Sequence, residues 1–152
     1  SDIRKAQLAF WTRFREKLLA TKQVLSAQSP GPQYWYNISL GRSGIHLSTV
    51  FNTSENKVGI RVYISNRVAE LALPQLERHR PEIEREIGET LEWNPYPDKR
   101  DKIIRLSRPA EFSRQDKWDE YCDWLVSMTL KFRSAFSPRV KVLDLDSNSE
   151  VG

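Results

Sequence analysis

The sequence predicts an α+β fold: a single domain with an antiparallel five-stranded sheet that helices cover. Its length of 152 residues is close to the usual size of one domain. Hydrophobic residues make up 39% of the chain and charged residues 29%, a balance typical of globular proteins. Segments that alternate in polarity with period two lie between segments with helical period. The predicted order over residues 1–145 is α-βββ-α-ββ-α, and residues 146–152 are expected to form a flexible tail.

The first predicted element is an amphipathic helix over residues 3–19. Its apolar residues, among them Phe10, Trp11 and Phe14, recur at helical spacing, with arginines and lysines between them. The helix should therefore bury one face and present a basic outer face. The two prolines and the glycine of segment 29–32 exclude regular structure there and predict a loop.

Three strands are predicted next, at residues 34–40, 45–51 and 57–64. These segments are rich in β-branched and aromatic residues and alternate in polarity, and turn residues of hairpin length separate them. We therefore expect an antiparallel meander. If Tyr34, Tyr36, Ile38 and Leu40 face the helices, the intervening side chains lie on the opposite face of the sheet.

A helix over residues 66–87 should follow, with Asn66 as its N-cap and Gly88 as its left-handed terminator. Pro74 and Pro81 each remove a helical hydrogen bond, which predicts a kink or two shorter helices. Residues 90–94 and 102–107 are predicted as the last two strands.

The last helix is predicted to begin after Ser113. An apolar stripe runs along it from Trp118 to Phe136, and Pro138 is expected to end it. Because one face of this helix is so apolar, we expect it to cover the sheet.

Charge and cysteine content narrow the class of protein. The net charge is +4, with nine basic and three acidic residues in 1–64, four and eight in 65–98, and eleven and nine in 99–152. A polyanionic partner is therefore permitted but not required. Cys122 is the only cysteine, which excludes an internal disulfide and a cysteine-rich zinc site. No apolar run is long enough to span a bilayer, and a cytoplasmic location without membrane contact is expected.

The predicted outer face of the sheet combines aromatic, amide, histidine and arginine side chains. Such a face can stack nucleobases and neutralise phosphates, as sheet-based single-strand binders do. A merely solvated face is the alternative, since antiparallel sheets commonly leave one side wet. The candidate residues for binding nucleic acid or a partner are Trp35, Asn37, Arg42, His46, Arg61, Tyr63 and Arg105.

The sequence gives little indication of catalysis or of metal binding. His46 is the best candidate for acid–base work, but nothing in the spacing supplies its partner acid, so a structural histidine is the simpler interpretation. The turn 41–44 resembles an anion-binding turn, although its glycines have an adequate steric explanation. No nucleophile motif, paired carboxylates or metal-ligand spacing is present. We predict no catalytic residues, no metal site and no cofactor.

The run Trp35-Tyr36-Asn37-Ile38-Ser39-Leu40-Gly41-Arg42-Ser43-Gly44, with His46, resembles a prokaryotic family catalogued as domain of unknown function 4268. The resemblance continues in Leu91-Glu92-Trp93, around Ile104 and Arg105, and in Phe136-Ser137-Pro138-Arg139. Members are often the C-terminal part of proteins whose first half is similar to restriction nucleases. The resemblance thus implies a role near DNA processing or phage defence, and it carries no catalytic residues with it.

The leading functional expectation is a non-enzymatic binding module that contacts DNA, RNA or a nuclease-like partner through this sheet face. An assembly domain that forms a homodimer through its helices or an exposed sheet edge is the second hypothesis. A small hydrolase that uses His46 is the third.

Overall fold

The computed structural model describes residues 1–146. Its strands are β1 Trp35–Arg42, β2 Ile45–Asn52, β3 Lys57–Ile64, β4 Glu92–Trp93 and β5 Lys102–Pro109. Its helices are α1 Asp2–Ala20, α2 Asn66–Glu77, α3 Arg80–Ile87 and α4 Trp118–Lys141, with a short 3₁₀ helix at Gln115–Lys117 before α4. This order confirms the predicted fold class. Of the predicted tail 146–152, residues 147–152 lie outside the described residues.

The five strands form one antiparallel sheet in the order β1-β2-β3-β5-β4. The helix α4 packs across β1, β2 and β3, while α2 packs against β3 and β5. The helices α1 and α3 lie against α4. As a result the buried side chains form one continuous core between the sheet and the helices.

Strand alternation determines which side chains enter this core. In β1, Tyr36, Ile38 and Leu40 are buried, as predicted. Tyr34 was expected beside them, and that expectation is wrong: its side chain is 52% exposed. Tyr34 precedes the first residue of β1, so the alternation of the strand does not govern where its side chain lies.

The predicted middle helix is divided into two shorter helices, as expected, but only Pro81 lies at the break, because Pro74 lies inside α2. The break falls at Arg78 and His79, directly before Pro81 in the first turn of α3. Proline is tolerated in a first turn because its missing N–H would have no partner there. Gly88 ends α3 with φ of 80°, as predicted, whereas Ser65 and not Asn66 is the N-cap of α2.

Pro138 does not end the last helix, contrary to prediction. The helix α4 continues to Lys141, and Val140 in its final turn is fully buried. Arg42 stabilises this end, because its Nη1 donates to the carbonyls of Val140 at 3.0 Å, Lys141 at 3.3 Å and Leu143 at 2.6 Å. Carbonyls at a helix end lack the intrahelical N–H partners of the helix interior, so a charged side-chain donor is stabilising there. One distant arginine therefore offsets the hydrogen bond that the proline removes.

The Arg42→Ala variant is expected to lower the free energy of unfolding by about 1.5–3 kcal/mol, because three carbonyls lose a charged donor. Urea unfolding followed by circular dichroism measures this change. Arg78→Ala serves as the control: Arg78 is exposed, and its side chain has no partner within residues 1–146, so the change should stay below about 1 kcal/mol. A wild-type urea midpoint for Arg42→Ala would contradict the capping role.

Candidate functional site

One face of the sheet is left uncovered by the helices of residues 1–146, and we call it the open face. The strand registers place its residues in rows that run across the sheet. One row joins Asn37, Ser48, Arg61 and Arg105 across four strands. The open face comprises Trp35, Asn37 and Ser39 of β1, His46, Ser48 and Val50 of β2, Gly59, Arg61 and Tyr63 of β3, and Ile103, Arg105 and Ser107 of β5.

A groove of about 690 Å³ lies over the middle of the open face. Three parts of the chain outside the strands contribute to it, namely Tyr34 before β1, Asn66 at the start of α2, and residues 96–101 between β4 and β5. A second groove of about 480 Å³ adjoins the first and shares Tyr34, Arg61, Tyr96 and Ile103 with it. From here on, the groove means the larger of the two. It is lined by Tyr34, Trp35, Asn37, His46, Ser48, Arg61, Tyr63, Asn66, Tyr96, Lys99, Arg100, Asp101 and Ile103.

Arg61 lines the groove from β3, the middle strand of the sheet. Its guanidinium carbon lies 5.3 Å from the centre of the Tyr63 ring, a cation–π contact. Within residues 1–146 its side chain has no hydrogen-bond acceptor and no carboxylate partner, and its Nε is buried. Such a half-buried cation without an anion is unusual, because desolvation of a charge is unfavourable unless a partner compensates it. Arg61 is therefore a candidate for binding an anionic ligand.

His46 also stacks on Tyr63, with its ring centre 5.2 Å from that of Tyr63 and an interplanar angle of 23°. Burial and the neighbouring charge of Arg61 lower the pKa of His46. The imidazole is thus neutral at physiological pH and can donate one hydrogen bond and accept another. No hydrogen bond within residues 1–146 engages it.

Asp101 anchors one wall of the groove. Its carboxylate accepts hydrogen bonds from the Tyr63 hydroxyl and from the backbone N–H of Asn66, the latter at 2.8 Å. These bonds lower the pKa of Asp101, and the same contact raises the pKa of Tyr63. The segment before β5 is therefore tied to β3 and to the start of α2. Tyr63, predicted as a binding residue, has its hydroxyl bonded to Asp101 and its ring in contact with His46 and Arg61.

Arg105 is already paired, in contrast to Arg61. Its Nε and Nη2 donate to Glu92 Oε2 at 3.3 and 3.1 Å, and its Nη1 donates to the Tyr96 hydroxyl at 2.8 Å. The guanidinium also lies 5.0 Å from the centre of the Tyr96 ring. Arg105 thus holds Tyr96 at the rim of the groove, where that ring is 46% exposed.

Six of the seven residues proposed from the sequence lie on the open face. Arg42 is the exception. A register shift between Ser39 and Arg42 pairs Arg42 with the buried Ile45 of β2. Its guanidinium lies at the end of α4. Strand alternation could not reveal this, since the partner carbonyls lie about a hundred residues away in sequence. Trp35, Asn37, His46, Arg61 and Tyr63 line the groove itself.

Eight lining residues were not proposed from the sequence, and among them Tyr34, Tyr96, Lys99 and Arg100 supply the aromatic and basic groups. These four lie outside the strands, so alternation gives no information about them. The basic run after Asp98 was the one available signal. Lys99 and Arg100 are exposed and have no ion-pair partner within residues 1–146, and with Arg61 they give the lining three basic residues against the single acidic Asp101.

Other reactive groups of the described chain lie outside the groove. Cys122 is buried in the core, and burial raises the pKa of its thiol to about 12, which disfavours the reactive thiolate. In residues 1–146, no group of three or more histidine, cysteine, aspartate or glutamate side chains is placed to hold a metal ion. The described helices include none with the length and apolar character needed to cross a bilayer.

Comparison with known proteins identifies the family but not an activity. No curated protein and no solved structure gives a significant match to the chain. A family model described as Domain of unknown function (DUF4268) matches residues 6–140, which confirms the resemblance seen in the sequence. Because the match covers most of the chain, including all five strands of the sheet, the protein belongs to this family.

Proposed function

We propose that the chain is a binding module that receives single-stranded nucleic acid in the groove of its open face. The observation that carries this proposal is Arg61, a half-buried guanidinium that has no acceptor within residues 1–146. A phosphate in the groove would compensate its charge and accept two parallel hydrogen bonds from its planar fork. The excess of basic residues in the lining also supports this proposal, because it favours the binding of any polyanion.

The aromatic residues of the groove support a nucleic acid over other polyanions. Tyr34 and Tyr96 line the groove with side chains that are 52% and 46% exposed, and the half-buried Trp35 also lines it. Exposed aromatic rings beside a basic groove are the arrangement on which unpaired bases stack. Duplex DNA hides its bases within the stack, so we expect a preference for single strands.

The biological setting follows from the family resemblance. The resemblance implies that members often form the C-terminal part of proteins whose first half is similar to restriction nucleases. This implication motivates a role in prokaryotic DNA processing or phage defence. In that setting the module would hold a strand, or a nuclease-like partner, and leave the chemistry to another domain. A hydrolase that uses His46 has less support, because no carboxylate hydrogen-bonds the imidazole within residues 1–146. A homodimer remains the second hypothesis for this family member.

Removal of the exposed rings tests the stacking surface. Tyr34→Ala and Tyr96→Ala are each expected to weaken binding of a fluorescent single-stranded oligonucleotide about 5- to 150-fold, since one stacked base contributes roughly 1–3 kcal/mol. Fluorescence anisotropy over a salt series measures the dissociation constants, and affinity should fall as salt rises.

Two controls accompany these variants. Tyr96→Phe keeps the ring and loses only the hydroxyl that accepts from Arg105, so its affinity should stay within a few-fold of wild type. Leu25→Ala changes a side chain that is 90% exposed and lies outside the groove. Absence of binding by the wild-type protein at low salt would reject the proposal.

A further inference from the structure

The floor of the groove contains four polar residues whose side chains have no hydrogen-bond partner within residues 1–146. Asn37, Ser48 and Arg61 occupy one row across β1, β2 and β3, and His46 lies two residues before Ser48 on the same face. Strand geometry brings side chains of one row within contact distance. These four residues therefore form one cluster, which we call the polar cluster.

Burial makes the missing partners significant. Ser48 is 1% exposed, and both its Oγ and the Nε of Arg61 are buried without a partner. Most buried polar atoms in proteins are hydrogen-bonded, and an unpaired one is a reason to look for a missing ligand or water. Because the Nε of Arg61 is buried, its two terminal nitrogens are the atoms of the guanidinium that can bind a ligand in the groove. The cluster is thus built for an occupant that accepts hydrogen bonds.

The chemistry of the cluster indicates the class of occupant. The guanidinium and the Asn37 amide supply donors in excess, His46 adds one more N–H, and the cluster contains no carboxylate. A terminal phosphate monoester has three free oxygens and close to two negative charges, whereas an internal phosphodiester has two free oxygens and one charge. The terminal group can use this donor set more completely and compensates Arg61 more strongly.

We propose that the polar cluster binds the terminal phosphate of a nucleic-acid strand, so that the module recognises phosphorylated strand ends. This inference rests on the proposed function, because it assumes that the groove receives a strand. It adds that the strand enters the groove by its end, with terminal bases near Tyr34 and Tyr96.

The test compares three single-stranded oligonucleotides of one sequence, with a 5′-phosphate, a 3′-phosphate or no terminal phosphate, as competitors of an internally labelled strand. One of the two phosphorylated strands is expected to bind about tenfold more tightly than the unphosphorylated strand, which also identifies the end that is read. Equal affinity of all three strands would overturn the inference while leaving the proposed function in place.

Arg61→Lys keeps the positive charge and removes the planar fork, so the preference for a terminal phosphate should fall below about threefold. Arg85→Lys is the control and should retain the preference, because Arg85 is an exposed arginine of α3 that lies outside the groove. Thermal unfolding confirms that both variants fold. A tenfold preference that survives in Arg61→Lys would contradict the assignment to Arg61.

If no oligonucleotide binds, a titration with a nucleoside 5′-monophosphate and its parent nucleoside, followed by NMR, separates the two proposals. Binding of the monophosphate alone, lost in Arg61→Lys, would support the phosphate site and reject the strand-binding groove. Failure of both small ligands to bind would overturn the site.

Discussion

Replacement of Arg61 with methionine is expected to weaken the binding of single-stranded oligonucleotides about 10- to 150-fold while leaving the fold nearly as stable as wild type. The loss of affinity follows from removal of a charged donor that lines the groove, because hydrogen bonds to a charged group contribute about 1.5–3 kcal/mol. Within residues 1–146, the guanidinium makes no hydrogen bond or ion pair. Among its contacts within residues 1–146, the variant loses the cation–π contact with the Tyr63 ring.

The Arg61→Met variant should therefore lose affinity for the oligonucleotide but little stability. The lost cation–π contact is worth about 0.5–1 kcal/mol, and methionine fills a similar volume without a charge to desolvate. We expect the free energy of unfolding to fall by no more than about 1 kcal/mol. A structural role for Arg61 predicts the opposite combination, with lower stability and unchanged affinity.

Anisotropy and urea unfolding on the same preparation measure both quantities. Arg85→Met is the matched control, since Arg85 is an exposed arginine of α3 that lies outside the groove. Its affinity should stay within about twofold of wild type at moderate salt. Equal losses of affinity in Arg61→Met and Arg85→Met would show that net charge, and not the groove, governs binding.

Phe10→Ala is expected to lower the free energy of unfolding by about 3–5 kcal/mol, the range typical of a buried phenylalanine replaced by alanine. Phe10 is fully buried at the junction of α1, the sheet and the start of α4. Its ring makes edge contacts with Trp11, Phe51 and Trp118 at centroid distances of 4.8, 5.2 and 5.3 Å. Removal of the ring leaves a cavity that rigid aromatic neighbours fill poorly.

Urea unfolding measures this loss, which is a large part of the 5–15 kcal/mol by which domains are usually stable. Leu25→Ala is the control, because its side chain is 90% exposed and should change stability by less than about 0.5 kcal/mol. A loss below about 1 kcal/mol for Phe10→Ala would mean that α1 does not pack on the sheet in the way described.

The sheet was the most predictable part of this fold. Alternation of polarity in β1, β2 and β3 is a local property of the sequence, and it correctly assigned Tyr36, Ile38 and Leu40 to the core and Asn37 to the open face. A side chain on a regular strand has two possible directions, and the neighbouring residues decide between them. Five of the seven proposed binding residues line the groove for that reason.

Features that depend on distant contacts were not predictable in this way. The end of α4 beyond Pro138 is stabilised by Arg42, from a hairpin about a hundred residues earlier. Likewise the groove acquires its walls from Tyr34 and Tyr96, which lie outside regular strands and owe their positions to neighbouring segments. Residue type alone cannot distinguish Arg42, which caps a helix, from Arg61, whose side chain has no hydrogen-bond acceptor within residues 1–146.

The most direct test of the open face as a binding surface is a titration of the ¹⁵N-labelled protein with a single-stranded oligonucleotide, followed by backbone and indole NMR shifts. We predict shifts for amides of β1, β2, β3 and β5, for the segment 96–101, and for the indole of Trp35, which has no hydrogen-bond partner within residues 1–146. The Trp118 indole donates to the Phe112 carbonyl at 2.8 Å in the core and should not move. Shifts concentrated on α1 and α3, with an unchanged Trp35 indole, would contradict the account.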